Sequence, residues 1–200
     1  MSTRFTVLIA DDRYPHYREE AAALEPLGAR LLPVKSRAAA DLIAAGREAD
    51  GVILNLAPFP AAVIGALARC KVISRYGVGY DNVDVPAATA RRIWVANVPD
   101  YCGEDVSDQA LALLMSCARK VALRDRQVRA GIWDITRAGP QWRLKGKTFV
   151  FFGYGQIARI LHRKIAGLLP GRVLVCDPYL QPDAIRAAGA EPADWDTALR

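Results

Sequence analysis

Segment 148–158 narrows the fold more than any other stretch of the chain. Thr148-Phe149-Val150-Phe151-Phe152 runs directly into Gly153-Tyr154-Gly155-Gln156-Ile157-Ala158. The stretch from Lys147 to Phe152 reads as a buried strand, and the residues from Gly155 to Leu169 carry a helical pattern. A strand that turns on glycines into a helix belongs to a βαβ unit and therefore to a parallel sheet. In such a turn Gly153 permits the tight bend, Gly155 lets a ligand approach the backbone, and Ala158 lets the helix pack closely on the strand. The helix N-terminus offers free N–H groups and a partial positive charge, which suit a pyrophosphate. The next strand, Arg172 to Cys176, is followed by Asp177, 24 residues after Gly153. A carboxylate there can accept hydrogen bonds from ribose hydroxyls. It would repel a ribose phosphate, and Pro178 and Tyr179 bring no cation, so the pattern points to NAD and not NADP. A tight turn without a ligand is the other reading of the glycines alone.

Strands and helices alternate from the start. Strands are expected at Phe5 to Ala10, Arg30 to Val34, Gly51 to Leu56, Lys71 to Tyr76 and Ile93 to Val98. Helices are expected at Glu19 to Leu27, Arg37 to Ala45 and Pro60 to Arg69. This pattern implies a doubly wound parallel domain over residues 1–99. A single long helix is expected from Glu104 to Ala130, where Val106, Ala110, Leu111, Leu113, Leu114, Cys117, Ala118 and Val121 form an apolar face and Gly131 a stop. An irregular stretch from Ile132 to Leu144 follows. The strand pattern then restarts as a second domain over 100–200, with two parallel strands, a short helix from Pro182 to Ala188 and another from Asp194 to Arg200. Gly77-Val78-Gly79 also follows a strand. Backbone N–H groups at the carboxyl end of a sheet can hold a carboxylate; a plain turn is the alternative. Asp11-Asp12 reads as a helix-entry turn and not as a catalytic carboxylate pair.

The remaining composition bounds the class. Of the net charge of +6, residues 101–200 carry +5, with 15 basic and 10 acidic groups. Arg119, Lys120, Arg124, Arg126, Arg129, Arg137, Arg143, Lys145 and Lys147 interrupt an apolar period, the pattern of a solvated helix face; attraction of an anionic cofactor or substrate and a nucleic-acid surface are the alternatives. Cys70, Cys102, Cys117 and Cys176 show no C-x-x-C spacing and read as small buried thiols. No signal-peptide pattern or transmembrane run is present, so a cytoplasmic chain with reduced thiols is expected. His16 reads as solvent-exposed and His162 as structural.

Several segments together are similar to the D-isomer-specific 2-hydroxyacid dehydrogenases, the phosphoglycerate dehydrogenase relatives. They are Arg75-Tyr76-Gly77-Val78-Gly79-Tyr80-Asp81-Asn82-Val83-Asp84, Ala87-Ala88-Thr89-Ala90-Arg91, Asn97-Val98-Pro99-Asp100-Tyr101 and Glu104-Asp105-Val106-Ser107-Asp108-Gln109-Ala110-Leu111-Ala112-Leu113-Leu114. The stretch from Leu144 through Asp177-Pro178-Tyr179-Leu180 completes the match. Arg75 before the glycine pair, Trp133-Asp134 and Asp177-Pro178-Tyr179-Leu180 resemble the C-terminal-binding-protein-like branch. The resemblance implies an α/β chain: a flavodoxin-like doubly wound substrate domain followed by an incomplete Rossmann NAD-binding domain. It implies that Val78 and Gly79 offer backbone to a substrate carboxylate and that Arg75 contacts substrate. It places Val106 beside the nicotinamide end, Gly155, Gln156 and Ile157 along the pyrophosphate with Gly153 in the turn of the same cofactor-binding motif, and Asp177 at the ribose. Relatives often carry Arg where this chain has Gln156, so one phosphate ion pair is absent. The long helix would contribute to a homodimer interface.

The implied chemistry moves a hydride between nicotinamide and the carbinol carbon of a 2-hydroxy or 2-keto acid. It calls for an Arg on the carboxylate, a His as acid/base and a Glu to orient it. The resemblance places all three downstream of Arg200, so the chain is expected to be truncated, to carry no catalytic residue and to expose an open sheet edge. No metal cluster is expected. The alternatives are an NAD(H)-binding interaction protein of corepressor type, without turnover, and a truncated product without function.

Overall fold

A computed structural model describes residues 4–10 and 13–199. Contacts divide the chain into two units, Met1–Tyr101 and Cys102–Arg200. Asp11 and Asp12, read as a helix-entry turn, lie outside the described residues.

The first unit alternates β1 (Phe5–Ala10), α1 (Arg18–Leu24), β2 (Ala29–Val34), α2 (Ala39–Gly46), β3 (Gly51–Leu54), α3 (Ala61–Ala66), β4 (Val72–Arg75), α4 (Val85–Ala90) and β5 (Trp94–Ala96). Its five strands are all parallel, in the order β2-β1-β3-β4-β5. That is the flavodoxin-like doubly wound order, with its switch point between β1 and β3. Right-handed crossovers put α1 on one face and α2, α3 and α4 on the other. Leu8, Ala10, Val52, Leu54 and Ile73 alternate toward the second face, where they are buried with Leu42, Val63, Ile64, Leu67 and Ala88. Pro33 is tolerated in β2 because that strand is an edge.

Local features of this unit depart from the sequence reading or add to it. The first helix stops at Leu24, and a 3-10 turn over Glu25–Leu27 carries Pro26 to Gly28, whose φ of 87° ends it. The helix α4 was not anticipated. Asp84 caps it, with its carboxylate accepting from the Ala87 N–H at 2.9 Å, and a proline sits in its first turn. The fully buried Phe59 locks the carboxyl edge: its N–H donates to the Asn82 carbonyl, and its own carbonyl accepts from the Asp84 N–H.

The second unit contains α5 (Gly103–Arg119), α6 (Val121–Arg129), β6 (Thr148–Phe152), α7 (Gln156–Ile165), β7 (Arg172–Cys176), α8 (Pro182–Ala187), β8 (Glu191–Pro192) and α9 (Trp195–Ala198). The sheet is parallel, ordered β6-β7-β8, so it has three strands and not the expected two. The extra strand is two residues long and ends in a proline, a weak signal suited only to an edge.

The expected single helix from Glu104 to Ala130 is two. Lys120 adopts φ 56°, ψ 36° and breaks it. A left-handed non-glycine residue costs about 1–2 kcal/mol. The segment folding back over the break offsets this: the Lys120 ammonium donates to the Ala138 carbonyl, and Gln141 Nε2 donates to the Arg119 carbonyl at 3.0 Å. Within α5 only Gly103 and Ser107 are buried, so much of the predicted apolar face stands open, with Leu113 56% and Val106 42% exposed. Cys117 on that helix is therefore exposed, and Cys102 and Cys176 are half-buried; only Cys70 is the buried thiol expected of all four. No helix among the described residues is long and apolar enough to cross a membrane.

Candidate functional site

In the second unit, β6 delivers the chain to the carboxyl edge of its sheet and α7 carries it away. Gly153 makes the turn with φ 84°, a conformation that L side chains rarely adopt. Gly155 is the N-cap of α7, with φ −73° and ψ −166°, and no side chain caps it. No atom lies within 4 Å of the position a Cβ would take at Gly153 or Gly155. Gln156 and Ile157 begin the helix as exposed residues, and the first N–H groups of a helix have no intrahelical acceptor. An open glycine cradle against a ten-residue helix N-terminus fits a pyrophosphate.

Asp177, at the end of β7, is tied to this turn. Its carboxylate accepts from the Tyr154 N–H at 2.7 Å and from the Tyr179 N–H at 2.9 Å. Those two bonds, the Tyr154 one first, hold its carboxyl below the usual value of 3.8. Each carboxylate oxygen keeps a further lone pair for a ribose hydroxyl. Val106 stands exposed on α5 in the same unit.

Sequence reading missed what lies beneath the turn. Tyr154, between the two glycines, is buried. Its carbonyl accepts from Arg159 Nε at 3.1 Å, and the Arg159 guanidinium lies over its ring at 4.9 Å. Its hydroxyl is 2.5 Å from His162 Nδ1. Burial pushes the Tyr154 hydroxyl above, and the His162 imidazole below, their ordinary values. The available signal was a polar aromatic residue at the exit of a buried strand, with a histidine two helical turns further on.

In the first unit, Gly77, Val78 and Gly79 follow β4 at the carboxyl edge. The loop is pinned on both sides: Val98 N–H donates to the Gly77 carbonyl at 3.1 Å, and Asn97 Nδ2 donates to the Val78 carbonyl at 2.8 Å. Asn82 Nδ2 also reaches the carbonyls of Asn55 and Ala57, joining this loop to the one after β3. Val78 and Gly79 are exposed, and their N–H groups have no acceptor among the described residues. Arg75 folds its guanidinium over Gly77, where a Cβ would collide with it, and its Nε is buried without a partner. The α1 side of the same edge holds two more such atoms, Tyr17 OH and Glu20 Oε2; the other Glu20 oxygen accepts from the Tyr76 hydroxyl at 2.6 Å. Neither Tyr17 nor Glu20 was singled out from sequence. Orphaned polar atoms of this kind call for an external partner.

His16 is exposed and lies 3.6 Å from Glu19. Among the described residues no group of three or more His, Cys, Asp and Glu is placed to hold a metal.

Residues 10–193 match the family model described as D-isomer specific 2-hydroxyacid dehydrogenase, catalytic domain. The chain is 36% identical over 160 residues to a D-3-phosphoglycerate dehydrogenase of Mycobacterium leprae, an alignment covering 79% of this chain and 30% of that protein. It is 34% identical over 140 residues to a glyoxylate reductase of Thermococcus litoralis, covering 66% of this chain and 41% of that one. A solved NAD-dependent formate dehydrogenase from Staphylococcus aureus, in complex with NAD, superposes with a TM-score of 0.81 at 20% identity, covering 98% of this chain and 62% of the other. The chain thus spans less than half the length of these curated relatives.

Proposed function

The chain belongs to the D-isomer-specific 2-hydroxyacid dehydrogenase family, and on that premise we propose that it forms the substrate-carboxylate loop and the dinucleotide platform of an NAD-dependent oxidoreductase acting on a 2-hydroxy or 2-keto acid. Residues 1–99 are the substrate domain in this reading and residues 100–200 belong to the NAD-binding domain. The observation that carries it is the open Gly153–Gly155 cradle at the N-terminus of α7, with the Asp177 carboxylate hydrogen-bonded to the turn.

The chain's own groups have separable tasks. The N–H groups of Gly155, Gln156 and Ile157 meet the pyrophosphate, aided by the helix dipole. Asp177 accepts from the adenosine ribose, and its negative charge disfavours a 2′-phosphate. Val106 bounds the nicotinamide end. NAD(H), when bound, supplies or accepts the hydride. Val78 and Gly79 donate N–H groups to the substrate carboxylate, and Arg75 takes a polar or anionic group. The reading assigns the acid/base His, its Glu and the carboxylate Arg to no residue of this chain. The exposed apolar residues of α5, α6 and the following loop, among them Leu113, Val128, Trp133 and Ile135, support a homodimer buried on this face. A cytoplasmic location follows from the same enzyme reading.

The test is a titration of the polypeptide with NADH, followed by an NADH-oxidation screen of 2-keto acids with the polypeptide produced by its natural gene. Micromolar NADH binding and turnover of at least one acid are expected. Binding without turnover would move the reading to an NAD(H)-dependent interaction protein, and no binding would end it.

A further inference from the structure

We propose that His162 is a positioning residue for the dinucleotide loop: through the Tyr154 hydroxyl it fixes where the loop backbone and Asp177 meet the cofactor. The inference rests on reading this loop as the NAD site.

Tyr154 is 2% exposed, and each of its polar groups has one partner. Its N–H donates to Asp177 Oδ2 at 2.7 Å, its carbonyl accepts from Arg159 Nε at 3.1 Å, and its hydroxyl meets His162 Nδ1 at 2.5 Å. The glycines on either side have no side chains, so Tyr154 is the turn's side-chain anchor to the body of the unit, beside the backbone bond from the Gly153 N–H to the Cys176 carbonyl at 2.9 Å. Phe151 and His162 both pack their rings 5.8 Å from the Tyr154 ring. Without the imidazole, a buried hydroxyl loses its partner, and such a group is costly to leave unpaired. Any tilt of the phenol to reach water moves its own backbone, and with it the N–H that orients the Asp177 carboxylate.

The pair also responds to pH. Burial holds His162 below its ordinary value of 6.5, so near neutral pH the ring is uncharged. With Nδ1 accepting from the phenol, the ring hydrogen is on Nε2. The charged groups acting on the phenol are Arg159 and Arg163, both cations on α7. From β6 the ring meets Phe151, which has no charge. Of the three acids of α5, Glu104 and Asp108 are engaged by Lys164, with ammonium–carboxylate distances of 2.7 and 2.5 Å, and Asp105 is exposed. Protonation would thus add a third positive charge beside Arg159 and Arg163 and turn Nδ1 into a donor, so the phenol oxygen would have to reverse its role and accept. As pH falls below the imidazole's range, the anchor is weakened by this charge and NADH affinity drops.

The experiment is an NADH fluorescence titration of the intact polypeptide from pH 7.5 to 5.5. The variants are His162→Leu, His162→Asn, Tyr154→Phe and the double variant Tyr154→Phe/His162→Leu. His162→Leu should raise the Kd about tenfold, the effect of leaving one buried hydrogen bond unmade. His162→Asn, whose amide oxygen can accept in place of Nδ1, should stay within about threefold and lose the acid dependence of the wild type. In the Tyr154→Phe background, His162→Leu should add little, because both changes cut one contact. The chain has two histidines, so His16→Gln, which should keep the wild-type pH profile, assigns the dependence. Wild-type NADH binding in His162→Leu, full additivity of the two changes, or equal pH slopes in wild type and His162→Asn would each overturn the inference while leaving the NAD reading intact. A wild-type chain that binds no NADH at any pH would remove that reading and the inference with it. If His162→Leu does not fold, the pH slopes of wild type and His162→Asn decide alone.

Discussion

Gly155→Ala adds one methyl group at the point where a pyrophosphate must come closest to the chain. The residue has φ −73° and ψ −166°, which any L residue adopts. No atom lies within 4 Å of the position the new Cβ would occupy, so the protein without cofactor has no clash to relieve. Removing glycine's freedom from the unfolded chain contributes about 0.4–1 kcal/mol. The lower N-cap preference of alanine takes back a similar amount, about 0.5–1 kcal/mol. The melting temperature should therefore barely move. The cofactor is affected differently, because the methyl overfills a close-packed contact, which costs about 1–3 kcal/mol. At 1.4 kcal/mol per decade that weakens NADH binding about 5- to 140-fold. Gly153→Ala is the contrasting change: its φ of 84° is strained for alanine, at about 1–2 kcal/mol. That variant should melt several degrees lower before any cofactor is added. NADH titration and thermal melts of the two variants separate the effects. If Gly155→Ala binds NADH within twofold of wild type at an unchanged melting temperature, the glycine serves only the turn and the cradle argument is wrong.

Other perturbations test the supports of the two loops. Asp177 is held below 3.8 by the Tyr154 and Tyr179 N–H groups, so its contribution to stability is complete above that value and is lost as pH falls through the lowered one. In urea unfolding between about pH 5 and 2, Asp177→Asn should show a shallower acid decline than wild type, and parallel curves would contradict this. Lys164 is raised above 10.5 by Asp108 and then Glu104, so its contribution is present below 10.5 and lost as pH rises through the folded value; Lys164→Met should flatten the alkaline limb of the stability profile. Phe59→Ala removes a fully buried ring at the carboxyl edge of the first sheet and should cost about 3–5 kcal/mol in urea unfolding. A loss under about 1 kcal/mol would mean that the edge is not held as described.

What the amino-acid sequence determined alone was the periodic part of the protein. Short β-rich runs between amphipathic stretches specify parallel strands and crossover helices, and the boundaries of β1 and β7 were read to the residue. The glycine turn and Asp177 were also legible, because Gly153 needs a left-handed backbone and an acid at a fixed distance along a βαβ unit has a geometric meaning. Elements resting on one or two residues were not legible. The strand β8 exists because Glu191 and Pro192 lie beside Leu174 and Val175, and α4 rests on a single Asp84 cap.

Only tertiary structure decided where the long helix breaks. An apolar period predicts continuity across Lys120, but the bonds that hold its left-handed backbone come from Ala138 and Gln141, far along the chain. The same holds for the site. The spacing of Tyr154 and His162 allows a contact but does not show it; β6 and α7 bring the two rings together across the turn, and burial then shifts their protonation. Arg75 was singled out for its position, yet its folding over Gly77 and its unpaired Nε depend on the loops after β3, β4 and β5 converging at one sheet edge. Sequence periodicity encodes which face of an element is apolar. Which polar atoms are paired, left unpaired or shifted in pKa depends on distances between segments that the sequence holds apart.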